Sequence, residues 1–431
     1  MDSLKRKRCC LQKDKKIKVL HLSYSDLKGG AAISCYRLHQ ALSKFSKIDS
    51  KILVVEKYSK FKNVYSFENY LTLSLNLLLK KIIFRFFKFQ KKKAKISQSM
   101  NFFSIMNIDS KIKKFDPDII HLHWINNEMV SIKNIGKLKY KKVWTFTDMW
   151  PFCGSEHYPD YIRYKEGYNY KNKPKENYGI DIDRFIWLKK NKYFDNKIRI
   201  VCISEWLKNK AKASFLFKKN LFNVIPCTIN TKEWLPINKK ISQNNLKISS
   251  KQKVFLFSCS TGTLDKRKGF DTILKIFNSK KYLKKNYLVI ILGNVHKKDL
   301  KKIKFKNIII DKFYMGNSLI LRKLYSAADI LLMPSTLEAF GQTAIESGSC
   351  NIPTVGFMNT GVQDSITHKK TGYIAKFSDI KDFSRGIEWC LKNINKLGIT
   401  TRKEIIDRFD YREIAKQYEK LYIDVFKNEK N

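Results

Sequence analysis

The chain of 431 residues is short of acid, with 38 Asp and Glu against 86 Lys and Arg, and its nine cysteines contain no Cys-x-x-Cys pair. An odd number of scattered cysteines fits reduced thiols in the cytosol and argues against a disulfide framework. No apolar stretch reaches the ~20 residues that span a bilayer; the nearest, 71–89, is interrupted by Lys80, Lys81 and Arg85. The basic N-terminal stretch leads into an apolar run too short for a signal peptide, so the expected location is the cytoplasm. The patterns G-x-S-x-G, P-loop and H-E-x-x-H are also missing, which removes three common catalytic signatures. No internal sequence repeat is visible.

What remains is a formal net charge of +48 on a chain that is 43% hydrophobic. That apolar content supports globular domains, and the length favours two of about 200 residues. The charge draws the protein towards polyanions: phosphorylated substrates, anionic membrane or nucleic acid. Short β-branched and aromatic runs recur at 16–24, 51–57, 118–124, 142–148, 198–204 and 222–227. They recur again at 253–260, 287–294, 307–311, 328–335, 352–358 and 371–376. Near-continuous apolar strands alternating with helical segments predict two parallel α/β sheets, that is, two Rossmann-like domains facing each other across a cleft. The polar stretch PINKKISQNNLKISSKQK between the two sets reads as a linker. The expected division is 1–235, a linker at 236–252, 253–405, and a C-terminal helix within 406–431 that can pack back on the first domain.

Ligands in such folds bind at the carboxyl ends of the strands, so chemistry is sought in the strand-to-helix loops. Gly29-Gly30 follows the first strand and opens a helix, where amide groups can meet an anion. A tight turn alone explains that pair equally well. WTFTDMWPFCGSEHY (144–158) places tryptophans, Asp148 and His157 after a strand, as a sugar-binding lip would; aromatics that merely anchor a loop look the same. In STGTLDKRKGF (260–270), Arg267 and Lys268 precede Gly269 and a helix, where cations and helix amides converge on a phosphate. In STLEAFGQTAIESG (335–348), a helix is expected to start near Gly341, with Glu338 before it and Glu346 inside it. Carboxylates suit vicinal diols, and the amides around Phe340, Gly341, Gln342 and Thr343 suit diphosphate or sugar oxygens. Glu338 complementing the helix dipole and Glu346 on a solvated face is the bland alternative.

Taken in order, LHLSYSDLKGGAAISCYRLHQAL, DIIHLHWIN, VWTFTDMWPFCGSEHY, CISEWL, DKRKGF, YSAADILLMPSTLEAFGQTAIESG and HKKTGYIA resemble the glycosyltransferases of family 4, which have the GT-B fold. The resemblance is strongest to members that build surface polysaccharides. It implies a retaining transferase that moves a hexose from a UDP-, GDP- or dTDP-sugar to a glycan or lipid-linked acceptor, with neither a bound metal nor a separate cofactor. By the E-x7-E signature, Glu338 contacts the transferred sugar and Glu346 the ribose. Lys268 neutralises the departing diphosphate, so Lys268 and Glu338 are the catalytic candidates. Arg267, Phe340, Gly341, Gln342 and Thr343 complete the donor site, and Gly29, Gly30, Asp148 and His157 form the acceptor side. The chain departs from the family where Thr147 replaces a histidine before Asp148, a role His157 could take. It departs again where Thr263 replaces a basic residue, for which Arg267 could substitute.

A metal-dependent transferase would use Asp116-Pro117-Asp118 or Asp181-Ile182-Asp183, but the first of these reads as a turn. His121 and His123 share a strand face and lack an evident third ligand. A sugar-nucleotide epimerase or hydrolase on the same scaffold is the alternative enzyme, and donor turnover without acceptor would reveal it. No nucleic-acid-binding signature accompanies the charge, so no specific nucleic acid is expected. The stretch 71–95 sets Leu75, Leu78, Leu79, Ile82 and Ile83 against Lys80, Lys81, Arg85 and Lys88. This pattern fits either a core-facing helix or one lying on the inner, anionic face of the cell membrane.

Overall fold

The structure is a computed structural model that describes residues 16–67, 98–104, 106–159, 161–177, 179–311 and 317–427, with seven further positions between 74 and 85. Most of the amphipathic stretch 71–95 therefore lies outside the described residues. The first sheet comprises β1 (Lys18–Ser25), β2 (Asp49–Glu56), β3 (Val64–Ser66), β4 (Ile119–Leu122), β5 (Lys141–Phe146), β6 (Arg199–Cys202) and β7 (Phe222–Val224). Its order is β3-β2-β1-β4-β5-β6-β7. The second comprises β8 (Lys253–Cys259), β9 (Tyr287–Gly293), β10 (Ile308–Asp311), β11 (Ile330–Met333), β12 (Thr354–Phe357) and β13 (Gly372–Ala375), ordered β10-β9-β8-β11-β12-β13. Both sheets are parallel. Helices cover their two faces, which is why β4, β9 and β11 are buried along their whole length. This is the expected pair of Rossmann-like domains; only the three-residue edge strand β3 was not legible as a strand.

In each sheet the strand order reverses once, between β1 and β4 and between β8 and β11. A crevice opens at such a switch point. The loops after β1, β5, β8 and β11 converge there. The apolar core is continuous across the two halves, running from the first sheet through Ile203 and Trp234 to Tyr325, Phe340 and Ile345.

The segment expected as a linker holds a helix, Lys239–Asn245, capped by the Asn238 side chain. Its buried face is made of Ser242 and Gln243, with Gln243 Nε2 donating to the Ala327 carbonyl at 3.3 Å. Lys239 pairs with Asp329. Burial through polar groups hid this helix from an apolar count. The final helix, Tyr411–Lys427, packs against Gly30–Phe45 of the first half. Its Ile414, Tyr418, Leu421 and Tyr422 share a core with Val19, Ile119, Val143 and Val201. The two crossings between halves lie side by side: the Ile229 amide and the Thr228 hydroxyl both donate to the Phe409 carbonyl at 2.9 Å.

Candidate functional site

A cavity of about 430 Å³ lies between the carboxyl ends of the two sheets. Its wall brings together Gly29, Gly30, Asp148 and His157 from the first half with Arg267, Lys268, Glu338, Phe340, Gln342 and Thr343 from the second. Tyr24, Trp124 and Tyr158 also line it. Of these, Trp124 at the end of the DIIHLHW run could have been picked out by its position alone. Gly341 and Glu346 are not on the wall.

On the C-terminal side, the loop after β8 ends in a 3-10 turn, Lys266–Lys268, where the Asp265 side chain accepts from the Arg267 amide. Gly269 then takes φ +77°, and a Cβ there would lie 2.0 Å from the Pro334 carbonyl oxygen. Only glycine lets the β8 and β11 loops touch in this way. Arg267 donates to Asp265 through Nε at 2.9 Å and Nη2 at 2.7 Å, and its guanidinium lies 4.4 Å from the Tyr158 ring of the opposite half. Burial would raise the pKa of Asp265, but Arg267 overcomes this and holds it below the usual carboxylate range. Lys268 Nζ donates to Glu338 Oε2 at 2.5 Å, joining the two catalytic candidates directly. The helix Gln342–Ser349 begins at Gly341 without a side-chain cap. Its first turn therefore presents backbone amides beside Gln342 and Thr343 on the cavity wall.

On the N-terminal side, Gly29 takes φ +95° and starts the helix Gly30–Phe45. A Cβ on Gly30 would stand 3.2 Å from Gln342 Oε1. Asp148 Oδ2 accepts from Trp124 Nε1 at 3.0 Å and pairs with His157 Nδ1 at 2.6 Å, while Oδ1 accepts from the Trp150 amide. Burial would raise the pKa of Asp148, yet His157 and these donors lower it. His157 Nε2 contacts Ser99 Oγ at 2.9 Å, and Trp124 stacks on the imidazole. The histidine nine residues beyond Thr147-Asp148 thus folds back onto the aspartate. Thr263, by contrast, is buried and donates to Asp299, away from the cavity.

His121 and His123 are buried with His21 of β1 and Cys35 of the following helix; one ligand atom from each of His21, Cys35 and His123 lies within 4.8 Å of the others. The sequence offered only two imidazoles because strand register supplies the rest. His123 bonds His21 at 2.9 Å, and His121 bonds Tyr422 and Thr145, which accounts for the burial of His121 and His123, while His21 Nε2 is buried with no hydrogen-bond partner among the described residues. Neither Asp-x-Asp pair reaches the cavity: Asp118 accepts from the Lys18 amide, Asp181 caps the helix Ile182–Tyr193, and Asp183 contacts Ser155.

Glu346 is buried behind the cavity wall. Its Oε1 accepts from Arg37 Nη2 at 2.8 Å and its Oε2 from the Tyr325 hydroxyl at 3.0 Å. Arg37 stands on the first-half helix, its guanidinium 5.2 Å from the Trp234 ring. With the Gln342 amide turned to satisfy its neighbours, its nitrogen donates to the Gly30 carbonyl and its oxygen accepts from Arg37 Nη1, both at 3.2 Å. Nothing in the sequence singled out Arg37 among so many basic residues.

Residues 238–407 match the model of the family described as glycosyl transferases group 1. The chain is 28% identical to N-acetyl-alpha-D-glucosaminyl L-malate synthase of Bacillus anthracis over 29% of its length and 34% of that protein. It is 23% identical to the capsular polysaccharide biosynthesis glycosyltransferase CapM of Staphylococcus aureus over 52% of its length and 60% of that protein. It thus spans from about a third to three fifths of these two relatives. Among solved structures, Anabaena HepE in complex with UDP and glucose superimposes with a TM-score of 0.63 at 15% identity, covering 95% of this chain and 100% of that one. The two halves therefore share the GT-B fold.

Proposed function

We propose that the chain, whose residues 238–407 match the glycosyl transferases group 1 model, is a retaining, family 4 glycosyltransferase that transfers a hexose from a nucleotide-diphosphate sugar to a glycan or lipid-linked acceptor. The observation that carries this reading is the Lys268–Glu338 contact and an uncapped helix start on the wall of one cavity. Departure of the nucleoside diphosphate builds negative charge on phosphate and positive charge on the sugar ring. Lys268, Arg267 and the amides at Gln342 and Thr343 meet the first charge. Glu338 accepts from sugar hydroxyls and holds the ring over the leaving group. On the other wall, Trp124 and Tyr158 offer faces to an acceptor sugar, and the Asp148–His157 pair ties Trp124, on the loop after β4, to the loop that carries Tyr158. HepE, which has the same fold, was captured with UDP and glucose, and CapM's name places it in capsular polysaccharide synthesis; both support the substrate class.

Screening UDP-, GDP- and dTDP-sugars against the purified chain tests this. Lys268→Ala is expected to lower turnover by about 10²–10³-fold, as loss of one preorganised charge stabiliser does, and Glu346→Ala to weaken donor binding. Wild-type affinity and turnover in both variants would refute the assignment. Leu75, Leu78 and Ile82 are exposed apolar residues at helical spacing beside Lys81 and Arg85, which favours the membrane-surface reading of that stretch. Deleting 76–93 should abolish sedimentation with anionic lipid vesicles; full retention would reject membrane attachment through this segment.

A further inference from the structure

Resting on that donor site, we infer that Arg37 gates it: a ribose can reach Glu346 only by displacing an arginine that the opposite half contributes. Both oxygens of Glu346 are engaged, one by Arg37 and one by Tyr325. The side chains of Arg37 and Glu346 are 10% and 9% exposed, so no solvent layer separates the pair from its surroundings. Each carboxylate oxygen can accept a second bond, but with both side chains buried a ribose diol brought to Glu346 must take space that Arg37 fills, and its neutral hydroxyls must compete with a charge-assisted bond. Once displaced, Arg37 cannot remain where it is, because a buried cation without its partner is strongly unfavourable. It stands on the helix Gly30–Phe45, whose glycine start faces the same cavity and touches Gln342. Removing Arg37 from Glu346 therefore loosens the contact between the two halves at the cavity edge. Donor binding and the relative position of the acceptor-side helix become one equilibrium, and Arg37 acts as a positioning residue within it.

Calorimetric titration of UDP, GDP and dTDP into the full chain, as wild type, Arg37→Met, Arg37→Lys and Glu346→Gln, tests the gate. The nucleotide that binds wild type should bind Arg37→Met about tenfold more tightly and Glu346→Gln about tenfold more weakly. A merely structural arginine would give the opposite sign, since its loss would damage the site. Unchanged or weaker binding by a folded Arg37→Met, with Glu346→Gln impaired, overturns the gate and leaves the donor-site reading standing. Wild-type affinity in Glu346→Gln overturns both, as does binding of no nucleotide by any form. If Arg37→Met does not fold, Arg37→Lys decides. Its single ammonium cannot hold Glu346 and Gln342 in the same fork, so affinity should rise about threefold, and no rise overturns the gate.

Discussion

Lys190 has no exposed surface, and its ammonium lies 3.7 Å from the Trp150 ring centre while donating to the Cys153 carbonyl at 3.0 Å and the Gly154 carbonyl at 2.7 Å. A third bond goes to the Trp150 carbonyl. These contacts clamp the loop that carries Asp148 and His157. Burial lowers the lysine's pKa from 10.5 to about 7. Between those values the unfolded chain binds more protons than the folded one, so this residue's contribution makes stability rise with pH. Lys190→Met should remove that slope while taking the donor from the Cys153 and Gly154 carbonyls, at about 1–3 kcal/mol for each; the Trp150 carbonyl keeps the Cys153 amide. Urea unfolding at pH 6.5, 8 and 9.5 checks both effects: the wild type should gain on the variant as pH rises, and a constant difference would contradict the shifted lysine. Residues of this kind are invisible in a sequence with 86 basic positions, as Arg37 was. Neither lies in a recognisable pattern, and each matters only through what folding sets beside it. Glu338 and Lys268 drew notice because each stands in a loop that follows a strand, and both loops line the crevice.

At the level of elements, the sequence was most readable where burial is two-sided. Runs such as YLVIILG have no polar face, so they announce central parallel strands, and β9 is buried throughout. Legibility failed at the margins. β3 has three residues and only Val64 is buried, too little to register as a pattern. The helix Lys239–Asn245 buries Ser242 and Gln243, whose polar side chains mimic a linker. The helix Gln342–Ser349 began where expected, yet Glu346 is buried off the cavity wall against Arg37 and Tyr325, and Ala344, Ile345 and Ser347 to Ser349 are buried with it. A spacing of seven residues between two carboxylates set Glu338 before the helix and Glu346 inside it, but not which neighbour from the other half would reach Glu346. That contact is tertiary, and it required the two glycine-started helices to be brought edge to edge.

For the molecule as a whole, the chain leaves the first half near Ile229 and returns to it at Tyr411, so the last seventeen residues of described helix complete a core that the opening strands began. Tyr422 caps His121 at 2.6 Å, and Tyr418 contacts Thr145 at 3.2 Å. Ile414, Tyr418, Leu421 and Tyr422 are all buried there. At about 2 kcal/mol for each buried side chain, their combined contribution is comparable to the ~5–15 kcal/mol that holds a whole domain folded. A chain ended at residue 410 should therefore lose protease resistance in its first half at temperatures where the full chain resists. The segment from β8 to Phe409 should stay protected, since neither core cluster to which it contributes draws on a buried residue beyond Phe409. Limited proteolysis with mass identification of the fragments separates these outcomes. If both halves of the shortened chain resist as the full chain does, the final helix is an accessory. If the first half alone is cut, the two halves depend on a chain that crosses between them twice, and the cavity they enclose exists only when both crossings are made.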